Sequence, residues 1–281
     1  MRIRASIAAV TGTLALAGVL APYAVAGESP RGERGERSDV FSESGAAKPG
    51  ASAESGPAAA SPAVAKVVVN GGKPLVVGLA DKPVRATFSV KAPGGIDGLD
   101  AELWGGSVYG ENNPWVPVDG FKTCTGTAAN CSADFLVMPA IDLNNKSGGG
   151  WNLALAVFDK QGGEYINDKA GKLTLLRHTK LTANAGPEPV KKGQNVTVDG
   201  LLTIVNWDRR TYTGYVDHTV QLEFLKKDTK TWTPVKTLKT DKNGKVKTTA
   251  KASVDGYWRL RYAGTGTVAP TTSTSDFVDV R

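Results

Sequence analysis

Beyond Val64 the chain is a series of short apolar runs set apart by Gly, Pro, Asn and Asp. "AKVVVN", "PLVVGL", "VRATFSV", "DAELW", "DFLVM", "NLALAVFD" and "KLTLLR" are each about strand length, and none sustains a helical period. In "VRATFSV", Val84, Ala86 and Phe88 alternate with Arg85, Thr87 and Ser89. A period of two puts the apolar set on one face and the polar set on the other, which predicts a sheet with one wet face. "GGGWNLALAVFDKQGGEY" predicts a strand, a glycine turn and a returning strand.

The second half repeats the texture in "KLTAN", "QNVTVDGLLTI", "HTVQLEFLKK", "WTPVKTLKT", "GKVKTTAK", "GYWRLRYAG" and "SDFVDV". Seven strands with turn signals every ten or so residues is the count of an immunoglobulin-like sandwich. "DKNGK" (Asp241–Lys245) sets Asn243-Gly244 between two alternating runs and predicts a hairpin, because a type I′ turn needs positive φ at both central positions. "GPEP", with Pro187 and Pro189, reads as the lead into this second domain. In "DGYWRLRYAG", Trp258, Leu260 and Tyr262 share one strand face while Tyr257, Arg259 and Arg261 share the other. Three bulky side chains in register predict a core strand, with the arginines facing solvent or acids across the sheet.

The N-terminus differs. "MRIR", a mostly apolar run from Ala5 to Leu20, and small residues at Ala24 and Ala26 predict an export signal cleaved after Ala26. The apolar run is shorter than a membrane span and broken by Thr11, Gly12 and Thr13, so no stable membrane insertion is expected. Residues 27–62 hold one aromatic and almost no branched aliphatics, which predicts a disordered low-complexity tether. The expected organisation is therefore 1–26 signal peptide, 27–62 tether, 63–178 first sandwich and 179–281 second, basic sandwich. The fold class is all-β, two immunoglobulin-like modules in tandem.

The only cysteines, Cys124 and Cys131, lie in "CTGTAANC". In an exported chain the close pair reads as a disulfide, contributing roughly 2.5 kcal/mol by loop entropy. A redox pair is the rival reading, weakened by the absence of C-x-x-C spacing.

The sequence carries 34 basic and 27 acidic residues, and 17 of the basic against 10 of the acidic fall in 179–281. Lys236, Lys239, Lys242, Lys245, Lys247 and Lys251 occupy what reads as one antiparallel meander. Gathered on a face they would draw polyanions; spread along an edge strand they would block sheet-to-sheet aggregation. A specific nucleic-acid reader is not expected, since no recognition motif is present.

Aromatics offer a second candidate. Trp207, Tyr212 and Tyr215 in "NWDRRTYTGY", and Trp104 and Trp115 in "LWGGSVYGENNPW", sit in long connections with polar neighbours. Flat rings beside hydrogen-bonding groups form sugar platforms, while burial of the same rings would pin the loops down.

Catalytic chemistry finds no constellation. His178 and His218 read as sheet-end histidines in separate domains, with no nucleophile elbow and no zinc spacing. Glu102, Glu164, Asp168 and Glu223 read as solvated carboxylates. No cofactor is expected. Calcium stays as a second candidate through Asp142, Asn144 and Asn145 or Asp241 and Asn243, both of which also read fully as turn chemistry.

The run "LTANAGPEPVKKGQNVTVDGLL", followed by "GYVDHTVQLEF", "TLKTDKNGKVKTTAKASVDGYWRLRYAGT" and "DFVDV", resembles the immunoglobulin-like modules of secreted actinobacterial proteins, especially streptomycete ones. The stretch "GGWNLALAVFDKQGG" looks like a second, more divergent module often found beside it. The resemblance implies export and a β-sandwich, and some such proteins carry a calcium-binding label. The expectation is a secreted, non-enzymatic binding or structural protein of the cell envelope, contacting a polyanionic or glycan polymer. A calcium-binding protein of the same fold comes second and an enzyme of unknown type third. Oligomeric state is left open.

Overall fold

A computed structural model describes residues 37–41 and 61–281. The expected export signal, 1–26, and the rest of the expected tether lie outside the described residues.

Eight strands build the first sandwich. They are β1 (Ala63–Val69), β2 (Leu75–Val77), β3 (Lys82–Lys91), β4 (Ile96–Gly105), β5 (Trp115–Lys122), β6 (Ala128–Val137), β7 (Gly149–Asp159) and β8 (Glu164–Arg177). A single-turn helix, α1 (Pro139–Asp142), links β6 to β7. The strands run β1-β3-β6-β5-β4-β7-β8-β2, with only β2 and β8 parallel. The sheet folds over on itself: a Cβ on Gly171 of β8 would lie 3.0 Å from Val67 and Val69 of β1. The predicted alternation of β3 is observed, with Val84, Ala86 and Phe88 buried and Arg85 and Thr87 exposed. Each such buried Val or Phe contributes about 1.5–3 kcal/mol.

β5 was invisible in sequence. "WVPVDGFK" contains Pro117 and Gly120, which disfavour a strand, and the ladder accommodates them with a register shift between Val118 and Gly120. The turn after β7 matches expectation. Asp159 Oδ1 accepts from Gln161 N and Gly163 N at 3.0 and 2.7 Å, which closes the β7–β8 hairpin. The disulfide Cys124–Cys131 is present, with Cα atoms 4.8 Å apart at the mouth of the β5–β6 connection.

The second sandwich comprises β9 (Thr179–Leu181), β10 (Asn184–Gly186), β11 (Asn195–Asn206), β12 (Thr211–Gly214), β13 (Thr219–Lys226), β14 (Thr233–Lys239), β15 (Lys245–Lys251), β16 (Gly256–Tyr262), β17 (Thr271–Thr272) and β18 (Asp276–Val278). Long β11 is flanked by β9 and β10 on one side and by β15 and β12 on the other. The facing sheet runs β14-β13-β16, with β17 and β18 completing its far edge. This is an immunoglobulin-like arrangement of two packed antiparallel sheets. The core between them includes Val198, Leu202, Leu222, Trp258 and Leu260, so "GYWRLRY" is the core strand that its alternation predicts.

Three expectations are corrected. "DKNGK" does not make a hairpin, because β14 and β15 belong to different sheets. Gly244 alone has positive φ, +81°, and its carbonyl accepts from Leu202 N at 2.9 Å. The turn thus crosses from one sheet to the other while pressed against the backbone of β11. Pro187 and Pro189 lie between β10 and β11, inside the second sandwich; the passage from β8 to β9 is made by His178 alone. Finally, part of the supposed tether is folded. Asp39–Phe41 forms a 3-10 turn, and Phe41 is fully buried with Trp104, Ala154 and Ala156. The one aromatic of that stretch anchors it, which composition averaged over 36 residues cannot show.

The two sandwiches share a packed junction. Trp207, just past β11, joins the first core, where its Nε1 donates to Gly78 O at 2.8 Å. Asn145 binds Asn206 and Asp208, and Arg177 reaches both Asn145 and Val205 O.

Candidate functional site

The lysines are not gathered in one strand meander, although Lys239, Lys245 and Lys247 line one cavity with Asp199 and Asp241. Lys236 and Lys239 belong to β14 while Lys245, Lys247 and Lys251 belong to β15 in the opposite sheet, with Lys242 in the turn between. Lys236 Nζ donates to Thr248 Oγ1 at 2.9 Å, Lys239 pairs with Asp217 at 2.8 Å, and Lys247 stands opposite Asp199 in the ladder. The meander reading fails because the turn crosses between sheets.

The loop aromatics do not make open platforms either. Trp207 is buried at the junction. Tyr212 hydrogen-bonds His178 Nδ1 through its hydroxyl at 2.9 Å, under the Lys180 ammonium. Tyr215 stacks on His218 with centroids 3.4 Å apart. Both histidines are half-buried rather than solvent-facing, and burial pushes both imidazoles below their usual value. Trp104 is fully buried, its Nε1 donating to Asp168 O at 2.6 Å. Trp115 is half-buried near the Arg37 guanidinium. Trp104 and Trp207 therefore have no face left for a sugar, while Trp115, Tyr212 and Tyr215 keep part of theirs.

The carboxylates expected in solvent are also corrected in two cases. Glu102 is 2% exposed and receives Arg37 Nε at 3.0 Å on both oxygens. Glu223 is 7% exposed and paired with Arg259 at 2.7 Å. Glu164 is exposed and Asp168 half-buried. The candidate calcium ligands serve turns: Asp142 accepts from Met138 N, Asn144 from Lys146 N, and Asp241 from Asn243 N and Lys245 N. Asn145 is committed to the junction described above. Among the described residues, no three His, Cys, Asp or Glu side chains gather as a metal site.

What sequence reasoning missed is the outer face of the β14-β13-β16-β18 sheet. Strand register lines up Leu225, Tyr257 and Phe277 in one row across β13, β16 and β18. The next row on that face holds Glu223 and Arg259, and the one after it Gln221, Arg261 and Thr272. Tyr257 and Phe277 meet with centroids 5.1 Å apart. Trp232, from the β13–β14 connection, covers the Arg259 guanidinium at 3.8 Å from its ring centre. Glu223 holds that guanidinium from the other side, so the cation is fixed between a carboxylate and an indole. Arg261 is exposed beside it, and Lys227 lies 5.9 Å from the Phe277 ring. The face therefore offers half-exposed rings next to oriented cations. The alternation Tyr257-x-Arg259-x-Arg261 was legible, but its union with Trp232 and Phe277 required the register of three strands.

No protein-family model matches the chain, and no curated protein matches it. Among solved structures, it is similar to dimeric latent PorU from Porphyromonas gingivalis at 14% identity and a TM-score of 0.28 over 83% of this chain. It spans 21% of that protein's chain, about a fifth. It is similar to the D00–D0 domain of intimin at 10% identity and a TM-score of 0.26, covering 76% of this chain and 99% of that one. A stretch of titin domains aligns at 12% identity and a TM-score of 0.27, covering 78% and 68%.

Proposed function

We propose that this is an exported, non-enzymatic protein of the cell envelope or extracellular space whose second sandwich binds an anionic glycan polymer. The observation that carries the reading is the Trp232–Arg259–Glu223 stack beside the Tyr257–Phe277 pair. Apolar ring faces suit the C–H surface of a sugar, and a guanidinium preset by its own carboxylate suits an acidic substituent. Glu223 cancels the charge of Arg259 and Asp255 pairs with Lys227 at 3.6 Å, so Arg261 supplies the attraction at longer range. Export is supported by the N-terminal sequence pattern and by the disulfide. No described helix is long and apolar enough to cross a membrane.

Affinity electrophoresis through gels containing polygalacturonate, with neutral dextran as control, tests this. Retardation is expected in polygalacturonate alone, reduced in Trp232→Ala and Arg261→Glu and weakened by salt. Mobility in polygalacturonate equal to that in dextran for the wild type would overturn it.

A further inference from the structure

The outer face of β4 and β7 is built unlike a solvated sheet face. β7 presents Ala154 and Ala156 there, both fully buried, between the taller side chains of Trp104, Phe158 and Ile166. Two small residues between large ones leave a trough. At one end the trough holds Glu102, a carboxylate whose side chain is 3% exposed. The segment seated there itself contributes to that burial, and it brings with it the cation such a carboxylate needs.

Both needs are met by Arg37–Phe41. Phe41 fills the apolar end, fully buried. Arg37, four positions earlier, forms the ion pair with Glu102, donates Nη1 to Gly110 O at 2.7 Å and lies 4.3 Å over the Tyr109 ring. Burial and the Glu102 carboxylate together hold the Tyr109 phenol above its ordinary range. The aromatics of "LWGGSVYGENNPW" thus gather after all, around a peptide.

We infer that this trough is a peptide-binding site reading an arginine followed four residues later by an aromatic. Its own arm occupies it in cis, and the same segment of a second copy occupies it in trans. The described contacts that seat the arm run from Arg37 and Phe41 to the trough and its rim, and a second copy offers the same residues as ligand. Exchange replaces these contacts with the same contacts made by a neighbour, the usual route to swapped dimers. The 19 residues between Phe41 and Ser61 can reach at most about 65 Å, enough to seat the arm on a neighbour. Covalent connection favours cis seating in dilute protein.

The test uses two full-length variants. Arg37→Ala/Phe41→Ala has an open trough and an arm that cannot bind; Ala154→Leu/Ala156→Leu has a filled trough and a free arm. Each alone should sediment as a monomer, and an equimolar mixture at about 100 μM should form a 1:1 complex. A mixture of two cooperatively folded variants that stays monomeric would overturn the inference. If the filled-trough variant does not fold, a labelled peptide of residues 35–45 is titrated onto the open-trough variant. Saturable binding, weakened at least tenfold by Arg37→Ala in the peptide, is expected; no binding overturns it. An open-trough variant that fails to fold would also overturn it, by showing the arm to be an integral part of the core.

Discussion

The indole N–H of Trp207 donates to the carbonyl of Gly78 at 2.8 Å, joining positions 129 apart in sequence and reaching from the second sandwich into the first core. Trp207 is 2% exposed and packs in the first core although it directly follows β11 of the second sandwich, so it couples the two. A single calorimetric transition is expected for the wild type. Trp207→Ala should separate it into two, since the junction then loses its largest apolar element; two transitions already in the wild type would refute the coupling.

The Arg37–Glu102 pair allows a second measurement. Losing one partner of a buried ion pair strands the other, so Arg37→Ala should cost about 3 kcal/mol. Replacing both with apolar residues, Arg37→Met/Glu102→Leu, should cost less than that single change. Urea melts of the wild type, Arg37→Ala and the double variant provide the check.

Trp258 and Tyr257 are neighbours on opposite faces of β16, one 3% and the other 36% exposed. Trp258→Ala is expected to cost about 3–5 kcal/mol. Tyr257→Ala should stay within about 1 kcal/mol while weakening retention on the acidic polysaccharide. Reversal of that order in thermal melts would exchange the two faces.

Acid should weaken the fold in two stages. His178 is held below its ordinary value by burial, then by Lys180 and Lys82; His218 is held down by burial and Lys239 against the opposing pull of Asp217. A depressed histidine means that the unfolded chain binds more protons, so stability is full above pH 6.5 and falls as pH drops below it. Asp134 is lowered from 3.8 to about 2, first by its hydrogen bond from Arg85 and then by Lys122. Its contribution is present above pH 3.8 and disappears as pH falls toward 2. Melting temperatures of His178→Gln/His218→Gln between pH 7.5 and about 2 should lose the upper stage and keep the lower.

Gly244 turns with φ +81°, where a Cβ would lie 2.4 Å from Leu202 O and 2.7 Å from Tyr215 N. Gly244→Ala should therefore cost about 2 kcal/mol or more. Gly120→Ala, with nothing within 4 Å of the added atom, should be close to neutral. Denaturant midpoints of the two variants measure the contrast.

Much of the fold was legible because strand alternation is local. Val84, Ala86 and Phe88, or Trp258, Leu260 and Tyr262, declare a buried face within seven residues of sequence, whatever they pair with. β5 was not legible, since Pro117 and Gly120 are tolerated only through a bulge against β6. The site was less legible than the fold. Trp104 and Trp207 have the composition of a ligand platform, and only packing shows that the protein itself covers them.

Period-two patterning and turn residues by themselves determined that this chain is a tandem of β-sandwiches with a disulfide and a basic second half. Tertiary structure alone decided which strands meet, and therefore that Trp232, Arg259, Tyr257 and Phe277 share one face. It also decided that Arg37 and Phe41 belong to the fold. The reason is physical: which way a side chain points follows from its neighbours in the chain, whereas what it touches follows from register between segments that sequence separates by tens of residues.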